Sequence, residues 1–140
     1  MIYLDTNVLM GILCPEPQTA LLQAWFSKSG ADALACSPWC RTELGSALAM
    51  KQRTKQLGAS EAAAAMKMGL QILSSTQCES FQDSDFDEAM QLCTNLNWSL
   101  RAPDALHLAI ARRVGCDAIA TLDELVQKAA RKIGLRPIKF

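Results

Sequence analysis

A single histidine in 140 residues removes most of the side-chain arrangements that a short enzyme could use. The one close cysteine pair, Cys36 and Cys40, has three residues between its members, so a zinc site lacks both ligands and spacing. Serine and cysteine nucleophiles have no partner arrangement in the sequence. No GxGxxG or P-loop pattern occurs, which leaves no glycine-rich cradle for a phosphate. Charge of either sign is not in excess: 14 basic residues balance 14 acidic ones, so any contact with a polyanion rests on local patches. The opening MIYLDTNVLMGILCPEP carries no basic leader, and Asp5 interrupts its apolar run. Neither a signal peptide nor a membrane span is expected there, and a cytoplasmic protein is. Repeats, low-complexity tracts and linkers are absent, so one domain over residues 1–140 is expected.

Half of the residues are apolar and 20% are charged, the composition of a globular chain with a real core. The six cysteines scatter among apolar residues and read as reduced, small core side chains.

Short apolar runs alternate with helical ones. Met1–Leu4, Ala33–Cys36, Gln77–Phe81, Ala118–Thr121 and Arg136–Lys139 read as strands. Helices are expected over about 8–14, 18–29 (closed by Gly30), 38–57 (capped by Ser37, with Pro38 in its first turn), 60–74 (capped by Ser60), 85–95 (opened by Asp85 with Glu88), 103–113 and 124–133 (capped by Asp123). The alternation predicts a parallel, doubly wound α/β sheet covered by helices on both faces.

Four carboxylates stand out against this frame: Asp5, Glu43, Asp104 and Asp123. Three of them fall where a strand ends or a helix begins, and in an open α/β sheet those places converge on one crevice. Two like charges about 5 Å apart there cost on the order of 3 kcal/mol at an effective dielectric near 20. A hard divalent cation held by oxygens relieves that repulsion and is suited to phosphodiester hydrolysis. Each of Asp5, Asp104 and Asp123 has a plainer reading as a helix cap. Glu43 shares a helical face with Trp39, Ala47 and Met50, so burial there demands a partner, either a metal or a base such as Arg41.

Thr6 and Asn7 either orient the neighbouring acids or simply form the turn after Asp5. Thr121 either supports the site or is a core-facing strand residue. His107, one turn beyond Asp104, is read as packing and hydrogen-bonding locally. Lys51 and Arg53 near one helix end, and Arg101 beside Asp104, are the first candidates for contacts with a nucleic-acid backbone.

The segments YLDTNVL at 3–9, RTELGSAL around Glu43, LRAPDALHLAIA at 100–111 and IATLDELVQKAARKIGL at 119–135 together resemble the PIN-domain ribonucleases, and within them the VapC toxins of toxin–antitoxin pairs. An aromatic often follows the last acid in that family, whereas Leu125 and Val126 do here. The resemblance implies a three-layer α/β/α fold with about five parallel strands and an acidic pocket for Mg²⁺ or Mn²⁺. Asp5 and Asp104 would ligate directly, with Glu43 and Asp123 completing the pocket. It further implies an endoribonuclease toxin that leaves a 5′-phosphate, a cognate antitoxin and a homodimer. Two other readings stay open: a PIN-like scaffold that binds RNA or a partner without cutting, and an aspartyl-nucleophile phosphatase. The latter wants an aspartate two positions after Asp5, where Asn7 stands.

Overall fold

A computed structural model describes residues 1–140. Five strands, β1 (Ile2–Leu4), β2 (Leu34–Cys36), β3 (Gln77–Cys78), β4 (Ala118–Ala120) and β5 (Arg136–Pro137), form one sheet in the order β3-β2-β1-β4-β5. Every pairing is parallel. Seven α-helices connect and flank them: α1 (Thr6–Leu13), α2 (Thr19–Ser29), α3 (Trp39–Arg53), α4 (Ala59–Ser75), α5 (Asp83–Thr94), α6 (Ala102–Arg113) and α7 (Glu124–Lys132). This is the PIN-like α/β/α architecture.

Side-chain alternation along the strands sorts the core into layers. Tyr3, Ala35 and Ile119 face one way and pack with residues of α5, α6 and α7. Leu4, Leu34, Ala118 and Ala120 face the other way, against Val8 and Ile12 of α1 and Leu22 of α2. A further cluster joins Leu9 and Met10 to Leu44 and Leu48 of α3 and Ala65 and Leu73 of α4. Gly69 lets α4 come close: a Cβ there would stand 2.6 Å from Leu44 Cδ2 and 2.9 Å from Leu13 Cδ1. No helix is long and apolar enough to cross a membrane.

Strands and helices fall near their expected places, with instructive shifts at helix starts. Ser60 does not cap α4; the Glu61 carboxylate accepts from the Gly58 backbone N–H at 2.7 Å. Asp85 does not open α5 but accepts from the Gln82 N–H at 2.9 Å, one turn into the helix, and also pairs with Arg113 at 2.6 Å. Helix α3 stops at Arg53, where the Thr54 hydroxyl turns back onto the Met50 carbonyl. All six cysteines are unpaired, and four of them are buried.

The chain winds outward from β1 through β2 and β3, then returns to the other side of β1 for β4 and β5. The switch in direction lies between β1 and β4, so the crevice beyond their carboxyl ends is where such a sheet binds ligands. Asp5 immediately follows β1, and Thr121 immediately follows β4. The backbone keeps them level, because Leu4 pairs with Ala120 and Asp5 N–H donates to the Ala120 carbonyl at 3.0 Å.

Candidate active site

Asp5 sits at the floor of the crevice, almost wholly buried. Its extended backbone makes it the N-cap of α1, with Oδ1 accepting from the Asn7 backbone N–H at 3.1 Å. Oδ2 accepts from the Thr121 hydroxyl at 2.7 Å and from Asn7 Nδ2 at 2.9 Å. Asn7 is itself held, since its Oδ1 accepts from the Leu122 N–H at 2.9 Å. Asn7 and Thr121 therefore clamp Asp5 across the β1–β4 junction rather than serving only as turn and core residues. Burial pushes the Asp5 carboxyl above its ordinary range, and the His107 charge with the Thr121 and Asn7 hydrogen bonds offsets only part of that.

Glu43 projects from α3 toward the same place. Its Oε2 accepts from the Thr6 hydroxyl at 2.6 Å and stands 2.6 Å from His107 Nε2. Arg41, the base weighed as its partner, reaches the Cys78 sulfur instead. Burial works to raise the Glu43 carboxyl, but the hydrogen bond and charge of His107 together with Thr6 outweigh it and hold the group low.

His107 is the residue that sequence reasoning set aside. It makes long-range rather than local contacts: Nδ1 lies 3.1 Å from the Tyr3 hydroxyl, which donates to Ser37 Oγ at 3.0 Å. Nε2 also lies 3.8 Å from Asp5 Oδ1. Burial favours the neutral ring, yet the Glu43 hydrogen bond and the charges of Asp5, Glu43 and Asp104 prevail and raise its pKa. The signal was present but faint: the chain's only histidine lies one turn after Asp104, and its only tyrosine two residues before Asp5.

Asp104 lies in the first turn of α6, and its Oδ2 accepts from Arg101 Nε at 2.9 Å. Asp123 caps α7, with Oδ1 accepting from the Leu125 and Val126 N–H groups at 2.7 and 3.1 Å. Its other oxygen faces Arg101 Nη2 at 3.7 Å. The capping reading holds for Asp123, and Arg101 is what links it to Asp104.

Asp5, Glu43, Asp104, Thr6, Asn7 and Arg101 line one cleft of about 690 Å³, which runs on past Ala47 and Met50 to Lys51. Asp123 is not on its wall and touches it through Arg101. Lys51 is paired with Glu16 at 2.9 Å, at the cleft's far end. Arg53 is exposed and lies off the cleft. Next to the cleft, sharing Trp39 and Pro103, opens an apolar trough of about 600 Å³ walled by Phe81, Phe86, Met90 and Leu106.

The PIN domain family matches residues 2–132. The chain is 33% identical over 140 residues to Ribonuclease VapC47 of Mycobacterium tuberculosis, covering 96% of this chain and 93% of that protein. Among solved structures, FitAcB from Neisseria gonorrhoeae matches with a TM-score of 0.75 at 21% identity, over 99% of this chain and 97% of that one. VapC20 of Mycobacterium tuberculosis, described as a Sarcin-Ricin loop cleaving toxin, matches with a TM-score of 0.72 at 16% identity, over 92% and 95%. A toxin–antitoxin complex from Klebsiella pneumoniae gives 0.64 at 17% identity, over 99% and 97%. These structural likenesses speak to the fold, whereas the family match and the identity to a VapC protein along nearly both full lengths place the chain in the PIN-domain family, on its VapC branch.

Proposed function

We propose that the protein is a Mg²⁺- or Mn²⁺-dependent endoribonuclease, the toxin of a toxin–antitoxin pair. The observation that carries this reading is the convergence of Asp5, Glu43 and Asp104 on one open cleft at the switch point of the sheet. Its support from relatives is the name of the VapC ribonuclease that the chain resembles along its length.

The donors suit a hard ion, because every acid offers oxygen and no thiol or free imidazole lines the cleft. No three His, Cys, Asp or Glu side chains are disposed to cage an ion directly. A magnesium-type ion, which keeps several waters and takes one or two carboxylates, fits that arrangement. Asp5 and Asp104 would hold it, with Glu43 acting directly or through water and Asp123, off the cleft wall, through water. When bound, such an ion supplies a lowered pKa for water and positive charge against phosphoryl oxygens.

The protein's own groups set up the rest. Both hydrogen bonds to Glu43 fall on Oε2, which leaves Oε1 to orient the attacking water and take its proton. Water oxygen bonds to phosphorus in line, the bond from phosphorus to the 3′ oxygen breaks, and the products are a 5′-phosphate and a 3′-hydroxyl. Arg101 and Lys51, which line the cleft, would meet backbone phosphates, and Arg53, off the cleft, would not.

A cytoplasmic protein with a cognate antitoxin is part of this reading, and solved neighbours in fold include toxin–antitoxin complexes. A homodimer is also part of it, and the apolar trough supports one: Phe86 and Met90 on its rim are 52% and 59% exposed.

A non-cutting scaffold draws on one observation, that Arg101 pairs with Asp104 and faces Asp123 while His107 pairs with Glu43. Sequencing 5′ ends of cellular RNA after brief expression separates the two. Discrete new ends with the intact protein, absent with Asp104→Asn, are expected; identical profiles would leave the scaffold.

A further inference from the structure

Arg101 is placed where a cation belongs. Its backbone is fixed as the residue before α6, with its carbonyl accepting from the Ala105 N–H at 3.0 Å. Its side chain is 75% exposed, yet it turns inward onto two acids from different helices. Nε reaches Asp104 Oδ2 at 2.9 Å, and Nη2 lies 3.7 Å from Asp123 Oδ2. That Asp123 oxygen is the one its capping bonds leave free, since both fall on Oδ1. The guanidinium therefore covers Asp104 Oδ2, which the cleft would otherwise offer to an ion, and holds Asp123 beside it from off the cleft wall.

We propose that Arg101 is a built-in competitor of the divalent cation, holding Asp104 until metal displaces it. The inference rests on the metal-dependent reading above. An exposed ion pair contributes little, so the guanidinium gives way readily. Two full charges of an ion then repel it toward the mouth of the cleft. Without Arg101, Asp104 Oδ2 and Asp123 Oδ2 would have no opposing base. The arrangement lowers the affinity of Asp104 for metal by the strength of the ion pair that must be broken.

Calorimetric titration of the full chain with Mn²⁺ alone, without RNA, tests this. Arg101→Gln keeps the length and removes the charge, and it should bind Mn²⁺ roughly fivefold more tightly than the unaltered protein, the factor that one lost surface ion pair returns. Arg101→Lys keeps the charge and should bind Mn²⁺ more weakly than Arg101→Gln, which separates charge from packing. Equal or weaker Mn²⁺ binding by Arg101→Gln, with clear binding by the unaltered protein, would overturn the competitor and leave the metal-dependent reading standing. No binding heat in any of the three would remove both.

Discussion

His107 Nε2 and Glu43 Oε2 stand 2.6 Å apart, and this contact ties α6 to α3 behind the acidic cleft. The ring is itself braced from the sheet by Tyr3. A carboxylate placed on an apolar helix face is thereby held in one orientation by a buried base. Removing the base by His107→Ala leaves Glu43 with an unmatched charge and opens a small cavity. A loss of about 2 to 4 kcal/mol is expected in denaturant unfolding. Tyr3→Phe removes only the outer brace and should cost about 1 kcal/mol. Equal effects would deny that the ring itself carries the contact.

The same contact dictates how stability varies with pH. The folded-state pKa of His107 lies above its ordinary 6.5, so its contribution is complete below that pH and fades as pH rises through the folded value. Glu43 lies below its ordinary 4.5, so its contribution is complete above that pH and fades as pH falls through the folded value. The stability gap between the intact protein and His107→Gln should therefore be widest between pH 4.5 and 6.5. It should narrow on the alkaline side. A gap that is flat from pH 5 to pH 9 contradicts the assignment.

Asp5 shifts in the opposite sense. Its raised pKa means that ionisation costs folding stability as pH climbs from 3.8 through the folded value. A bound divalent ion would offset that cost. Saturating Mg²⁺, at about a hundred times Kd, should add about 2.7 kcal/mol at neutral pH. Asp104→Asn should abolish most of the gain in thermal scans. An unchanged melting temperature with Mg²⁺ in the intact protein speaks against metal binding.

Cleavage of RNA should fall at least a hundredfold in both Asp5→Ala and Asp104→Asn, as expected when a group that positions the reacting water or its ion is lost. Asp123→Asn should lose less, because that acid meets the cleft only through Arg101. A defect in Asp123→Asn as large as that of Asp104→Asn would place Asp123 directly on the reacting groups.

Much of the architecture was legible in the chain. Strand and helix alternation announced the parallel sheet, and the turn after each central strand located Asp5 and Asp123. Glu43 could be singled out because a charge on an apolar helical face demands a partner. Its partner could not be read, since His107 lies 64 positions away and only the packing of α6 against the sheet brings it near. Arg101 was legible as a base beside Asp104, but not its span to Asp123, which depends on how α6 and α7 start relative to each other. Helix starts were misread where a glycine or a glutamine precedes an acid three residues on. There Glu61 and Asp85 reach back to a backbone N–H from the third helical position, so α4 and α5 open earlier than expected.

Met90→Glu places a charge on the rim of the apolar trough, where Met90 is 59% exposed in the single chain. If a second copy covers that face, sedimentation should shift from dimer to monomer with little change in unfolding of the chain itself. A dimer that survives the substitution would move the interface elsewhere.

Asp5 caps α1 with one oxygen while the other meets Thr121 and Asn7. The two employments cannot be separated by truncating the side chain: Asp5→Ala forfeits a cap worth roughly 1 kcal/mol along with the chemistry. In cells, that margin alone is enough to lower the amount of folded protein. Survivors in a selection against toxicity would therefore fall into two groups. Lesions at position 5 would leave a scarcer protein, whereas lesions at position 104 would leave an abundant, harmless one.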